Sequence, residues 1–298
     1  MALSIRPLLV SESESCLHHE SDESRVLHNE RFWNFDELVD ADTNNASILF
    51  EGPVRAKLIP AVLRGYNASV IAYVQTGSGK TFTMGSSAER GPSGIIGLTA
   101  MQLFASLPDG ARCFASFIQV YCEVVHDLLD STAAGVPTTL QHGCMRKPVA
   151  SKREVCSAVD VCAVLAHGSA NLATSWTEMN TASSRSHAIF TVDVCLAPTE
   201  EHVGGLTPKL HFVDLAGSER TKRAGTSGKR LEEGNSINKG LSSLGKVMNA
   251  LVAGHRHVPY RDSLITWLLK PPYQKCACMC YSAGHRCYYN CYYTCVIV

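Results

Sequence analysis

Residues 73–86 read YVQTGSGKTFTMGS. Successive backbone N–H groups from Gly77 through Ser78 and Gly79 to Thr81 can form a concave nest for phosphate oxygens. Within that nest Lys80 reaches terminal phosphates and the Thr81 hydroxyl is a Mg²⁺ ligand. Gln75 and Thr76 lead into the nest, and Phe82 follows it. The usual spacing is G-x-x-x-x-G-K-[ST], and Val74 stands where its first glycine would be. No phosphate contact needs a side chain there. If the turn at 74 requires a positive φ, a β-branched residue carries about 1–2 kcal/mol of strain, and Val74→Gly is expected to raise affinity or turnover.

A loop of this kind needs a strand before it and a helix after it. SVIAYV (69–74) is apolar and β-rich and runs directly into the glycines. FASFIQVY (114–121), HAIFTVDVCL (187–196) and KLHFVDLAG (209–217) read as further sheet strands, with VVHDLL following the first of them. SRVLHNERFWNFDELV is not assigned to one element. The turn-rich stretches 130–143 and 198–208 are connectors. From Leu231 onward, Ile237, Leu241, Leu244, Met248 and Leu251 step by four and three, the pattern of a helix with one buried stripe. Lys239 and Lys246 fall on its other face.

The chain has 298 residues and an apolar fraction of 45%, enough for one large core. Lys plus Arg number 27, as do Asp plus Glu, so net charge gives no reason to expect a nucleic-acid or membrane partner. No uninterrupted apolar run reaches the length of a membrane span, and Arg6 and Pro7 break the apolar start as a signal peptide. An intracellular chain follows, which makes the Asn45 and Asn67 sequons chance matches. Six of the 13 cysteines crowd between Cys276 and Cys295. That segment, with CYYNCYYTC, reads as low complexity, because zinc sites usually separate two cysteine pairs by a dozen or more residues. Residues 271–298 are therefore expected to lie outside the native fold, and 1–270 within it.

NTASSRSH (180–187), DLAGSER (214–220), EEGNSINKGLSSLG, HVPYRDSLIT (257–266) and GYNASVIAYVQTGSGKTFTMG together resemble the kinesin motor domain, in the right order from about Ser4 to Lys270. SSRSHAIF and LHFVDLAGSER lean towards the chromokinesin-like branch. The resemblance implies a P-loop NTPase of the kinesin-motor fold: a central mixed β-sheet flanked by helices on both faces. It implies a microtubule-binding ATPase of the cytoplasmic cytoskeleton that takes ATP and Mg²⁺.

By the same resemblance, Ser183 and Ser184 belong to switch I and help hold Mg²⁺ and the attacking water. Asp214 contacts Mg²⁺ through water, and the Gly217 N–H senses the γ-phosphate. Arg185 and Glu219 match the pair that closes the two switches, which would exclude water and fix the nucleophile. Arg6 and Pro7 match part of an adenine-side motif whose first arginine is Ser4 here, and Phe82 would give the base an aromatic face or serve as core. Lys222, Arg223, Lys229, Arg230, Lys239 and Arg261 would form the microtubule-facing basic cluster, joined by Lys246 and Arg256.

After Lys270 the resemblance ends. The family continues through a Gly-Gly-Asn turn into a strand lying between the first strand and the phosphate-loop strand, then a last helix and a neck. PPYQKCACMCYSAGHRCYY replaces them. The fold is thus expected to lack its normal last strand and helix, with no coiled coil to set an oligomeric state, unless 275–283 fills the sheet position. A second reading is a nucleotide- or tubulin-binding remnant without turnover; a simple phosphotransferase is a distant third, since SSRSH and DLAGSE have no place in one.

Overall fold

The computed structural model describes residues 2–4, 18–20, 25–28, 30–35, 37–39, 45–86, 93–130, 136–137, 150–178, 185–198, 200, 203–219, 229–270 and 292–297. The N-terminal part holds β1 (Ala2–Ser4), β2 (His18–Glu20), β3 (Arg25–His28), β4 (Arg31–Asn34) and β5 (Glu37–Val39). Then come α1 (Asn45–Leu49), a π-helical stretch Phe50–Leu58, α2 (Ile59–Leu63), β6 (Asn67–Ala72), α3 (Lys80–Met84) and α4 (Ile95–Ser106). The middle contains β7 (Arg112–Tyr121), β8 (Val124–Asp127), β9 (Val136–Pro137), β10 (Arg153–Val155), α5 (Ala158–Glu178), β11 (His187–Cys195) and β12 (Lys209–Asp214). Last are α6 (Lys229–Val252), a 3₁₀ turn Tyr260–Asp262, α7 (Leu264–Leu269) and β13 (Tyr292–Ile297).

The main sheet runs β5-β1-β13-β6-β12-β11-β7-β8-β9, with β10 also on β7. It is mixed: β13, β6 and β12 are parallel neighbours, whereas β11 is antiparallel to both β12 and β7. β2, β3 and β4 form a separate three-stranded sheet, so that RVLH and RFWN of the unassigned stretch are two paired strands. Strand alternation sends neighbouring side chains to opposite faces and builds two cores. Val70, Phe117, Phe190 and Phe212 pack with α1, α2, α4 and α5. Ile71, Ile118, Ile189 and Val213 pack with α6 and α7. All six residues of β6 are buried, as a central strand covered on both faces requires. The expected α/β architecture with helices on both faces is the one found.

On α6, Ile237, Leu241 and Leu244 are buried as the stripe predicts, while Lys239 and Lys246 are exposed. No described helix is long and apolar enough to cross a membrane.

The sheet position expected to be short of a strand is filled. β13 pairs in parallel with β6 from Tyr292↔Asn67 to Ile297↔Ala72, and meets β1 at Ala2↔Ile297. This corrects both the boundary at 270 and the reading of the whole tail as lying outside the fold. The segment proposed to fill the gap, 275–283, lies outside the described residues. Physically, one side of β6 needs backbone partners in a dry environment, and YYTCVI, aromatic and β-branched, suits a strand.

Candidate functional site

Strand register brings the motif residues to one end of the sheet. Asp214 ends β12 opposite Ala72, which ends β6, and opposite Ala188 near the start of antiparallel β11. Residues 73–79 after β6, 215–219 after β12, and 185 and 186 before β11 therefore lie at the same end of the sheet. The connection after β6 is threaded by backbone bonds: Leu215 N–H donates to Ala72 O and Ser218 N–H to Val74 O, each at 3.3 Å.

In the loop, Gly77 and Gly79 have φ of 82° and 95°, the left-handed region in which glycine alone is unstrained. Gly79 precedes α3, whose first residues are Lys80 and Thr81. Val74 is not among the residues with positive φ, so the expected turn strain is absent. The group that position 74 gives the loop is its carbonyl: Val74 O accepts from Lys80 Nζ at 2.9 Å, as does Gln75 O.

Lys80 lies below the usual lysine pKa because burial penalises its charge, opposed by the nearby Asp214 and Glu219 carboxylates. Thr81 Oγ1 donates to Asp214 Oδ2 at 2.5 Å. Burial raises the Asp214 pKa, against the Thr81 hydrogen bond and Lys80. Glu219 takes two bonds from the loop, from Thr76 N–H to Oε2 at 2.9 Å and from the Thr76 hydroxyl to Oε1. Burial works to raise the Glu219 pKa, but the Thr76 hydrogen bonds outweigh it and the net direction is downward. Gly217 is required by close approach: a Cβ there would lie 2.2 Å from both Thr76 Oγ1 and Glu219 Oε2.

A phosphorylated ligand fits these residues. The Ser78 hydroxyl is buried with no hydrogen-bond partner in the loop, and the Gly77 position faces open space. The Lys80 ammonium has only backbone carbonyls as direct acceptors among the hydrogen bonds above, and a desolvated cation in a loop of amides suits an anion. A hydroxyl and a carboxylate in contact, Thr81 and Asp214, are hard oxygen donors of the kind Mg²⁺ takes alongside phosphate oxygens. Among the described residues no group of three or more His, Cys, Asp or Glu side chains forms a metal site by itself.

Of the other predicted residues, Phe82 is 51% exposed beside the loop, which excludes the core alternative. Arg185 sits just before β11 at the same sheet end, while both Glu219 oxygens face Thr76. Lys239 and Arg261 are exposed, and Lys229 and Arg230 lie in the first turn of α6. Arg6, Pro7, Ser183, Ser184, Lys222 and Arg223 lie outside the described residues.

Sequence reasoning missed the buried contacts beneath the site. Gln119 Nε2 donates to Ser186 Oγ at 2.9 Å, and Ala216 N–H donates to His187 Nδ1 at 3.1 Å. Burial lowers the His187 pKa to about 4. Only the position of His187 next to SSRS hinted at this role.

A family profile of the kinesin motor domain matches residues 6–278. The chain belongs to the kinesin motor family. It is 36% identical to the kinesin-like protein KIN-4C of Oryza sativa subsp. japonica over 91% of its own length and 24% of that protein. It is 38% identical to the Homo sapiens kinesin-like protein KIF15 over 87% of its length and 20% of that protein. The chain thus spans between about a fifth and a quarter of these two relatives. A solved structure of a fast kinesin superposes with a TM-score of 0.78 at 29% identity, covering 99% of this chain and 83% of that one. The motor and motor homology domain of Kar3Vik1 superposes at 0.69 with 31% identity, covering 90% and 74%. KIN-4 and KIF15 names occur at near-equal identity, so these matches do not assign a branch within the kinesins.

Proposed function

We propose that this chain is a microtubule-binding motor head that hydrolyses ATP with Mg²⁺ and acts on the microtubule cytoskeleton. The observation that carries the reading is the convergence of Lys80 and Thr81, Asp214, and Gly217 with Glu219 at one sheet edge, 143 residues separating Thr76 from its partner Glu219. In this reading the loop amides from Gly77 to Thr81, with the Ser78 hydroxyl, hold the phosphates. Lys80 leaves its carbonyl acceptors for the terminal phosphates, and Phe82 lies against the base, with Arg6 and Pro7 completing that side. Thr81, Ser184 and Asp214 would hold a Mg²⁺ ion, which would supply neutralisation of phosphate charge. Ser183 and Ser184 orient water, the Gly217 N–H contacts the γ-phosphate, and Glu219 exchanges Thr76 for Arg185 as the switches close. Lys239, Arg261, Lys229, Arg230, Lys222 and Arg223 present a basic face to acidic tubulin.

A second reading, binding without turnover, draws on one observation: both Glu219 oxygens are engaged by Thr76. One experiment separates the two. MgATP titration calorimetry, followed by phosphate release with and without microtubules, is expected to show binding and stimulated turnover. Binding alone supports the second reading, and no binding at all overturns both.

A further inference from the structure

We propose that His187 is a positioning residue that mechanically links the Ala216–Gly217 backbone to helix α6. This rests on the motor reading above. His187 opens β11, and its residue is 5% exposed. Its Nδ1 accepts the Ala216 N–H at 3.1 Å, which places the ring proton on Nε2. That second nitrogen faces α6, 3.5 Å from where a Cβ on Gly240 would stand, and the same point lies 3.6 Å from Ile265 Cγ2 of α7.

One flat ring is therefore bonded to the segment that must follow the γ-phosphate and fills the space beside Gly240, where the helix carrying the basic face has no side chain. The backbone that carries the ring is held on both sides. The preceding residue, Ser186, is held by the buried Gln119 amide of β7, and the following residue, Ala188, pairs with Asp214. With its own strand pinned on both sides, the imidazole transmits a displacement of Ala216 to Gly240 rather than absorbing it. An imidazole does this better than a flexible chain, because only its two side-chain torsions can yield.

A merely structural buried histidine would lower stability when replaced but would leave the two sites coupled. The test measures microtubule affinity in a non-hydrolysable ATP analogue and in ADP, and takes the ratio. His187→Asn keeps an acceptor for Ala216 and loses the reach to α6. His187→Phe keeps ring volume against α6 and orphans the Ala216 N–H. Leu103→Ala, in the core on the other face of the sheet, is the stability control. Both His187 variants are expected to shrink the ratio about tenfold, the scale of a typical coupling between two sites, while the control lowers Tm and keeps the ratio. Ratios in the His187 variants within about twofold of wild type would overturn the link. If wild type itself shows no nucleotide-dependent affinity, the motor reading fails instead. ¹⁵N-histidine NMR then decides the local claim: the Nε2–H tautomer at neutral pH supports it, and the Nδ1–H tautomer rejects it.

Discussion

Thr76 donates twice to Glu219, from its backbone N–H at 2.9 Å and from its hydroxyl, so the phosphate loop and the DLAGSE segment are joined directly. Any side chain at Gly217 would occupy the same space, since its Cβ would fall 2.2 Å from each partner. Gly217→Ala is therefore expected to separate nucleotide binding from hydrolysis. Removing a preorganised contact to developing charge typically lowers kcat at least about hundredfold. Phosphate release should fall by that much while fluorescent ADP still binds; normal turnover in the variant would show that the close approach is incidental.

Val74→Gly tests whether the loop needs its first glycine. The Val74 backbone is free of positive φ, and its useful group is a carbonyl that any residue supplies. The substitution is expected to leave ATP affinity and turnover unchanged within about threefold, and to cost up to about 1 kcal/mol of stability through added chain entropy. A large gain in affinity would mean that the Val74 side chain obstructs the nucleotide.

Much of this arrangement was legible in the sequence because its signals are local. The apolar run of β6 and the stripe of α6 announce themselves by periodicity, and Lys80 and Asp214 are located by ordered motifs. Contacts between distant segments carry no such mark. Glu219 meeting Thr76, or His187 accepting from Ala216, follows only from strand register. The β7–β8 turn is a further case: Cys122 and Glu123 adopt φ of 49° and 60° without the Asn or Gly that signals a two-residue hairpin. The turn aims Glu123 Oε2 at the Leu264 N–H, 2.9 Å away, where it caps α7 together with Ser263. β13 was hidden because a cysteine- and tyrosine-rich composition reads as low complexity regardless of its pairing.

Stability should depend on pH through His187. Its imidazole has a native pKa of about 4 against an ordinary value of 6.5, because burial disfavours the charged form. Between those values the unfolded chain binds the proton and the native chain does not. Stability is therefore full above about pH 6.5 and falls as pH drops towards 4, by about 2 kcal/mol from this residue between pH 7 and 5. Urea unfolding at the two pH values should show the loss in wild type and a slope smaller by that amount in His187→Asn. Equal slopes would mean that the ring is hydrated in solution.

The last strand decides whether the sheet closes. β13 lies in register with all six residues of β6, the strand that carries the phosphate loop, pairs with the β6 backbone groups that point away from β12, and touches β1 on its other side. Removing residues 292–298 would leave buried N–H and C=O groups of β6 unpaired at about 1–3 kcal/mol each, against a total stability of about 5–15 kcal/mol. The shortened chain should lose its cooperative unfolding transition. Val296→Pro, which removes one donor from the ladder and fixes φ, should weaken the fold by about 3 kcal/mol or more. Composition alone is controlled by scrambling 271–291 while keeping 292–298, which is expected to preserve the melt. A truncated chain that melts as wild type does would show that β6 finds its partner elsewhere.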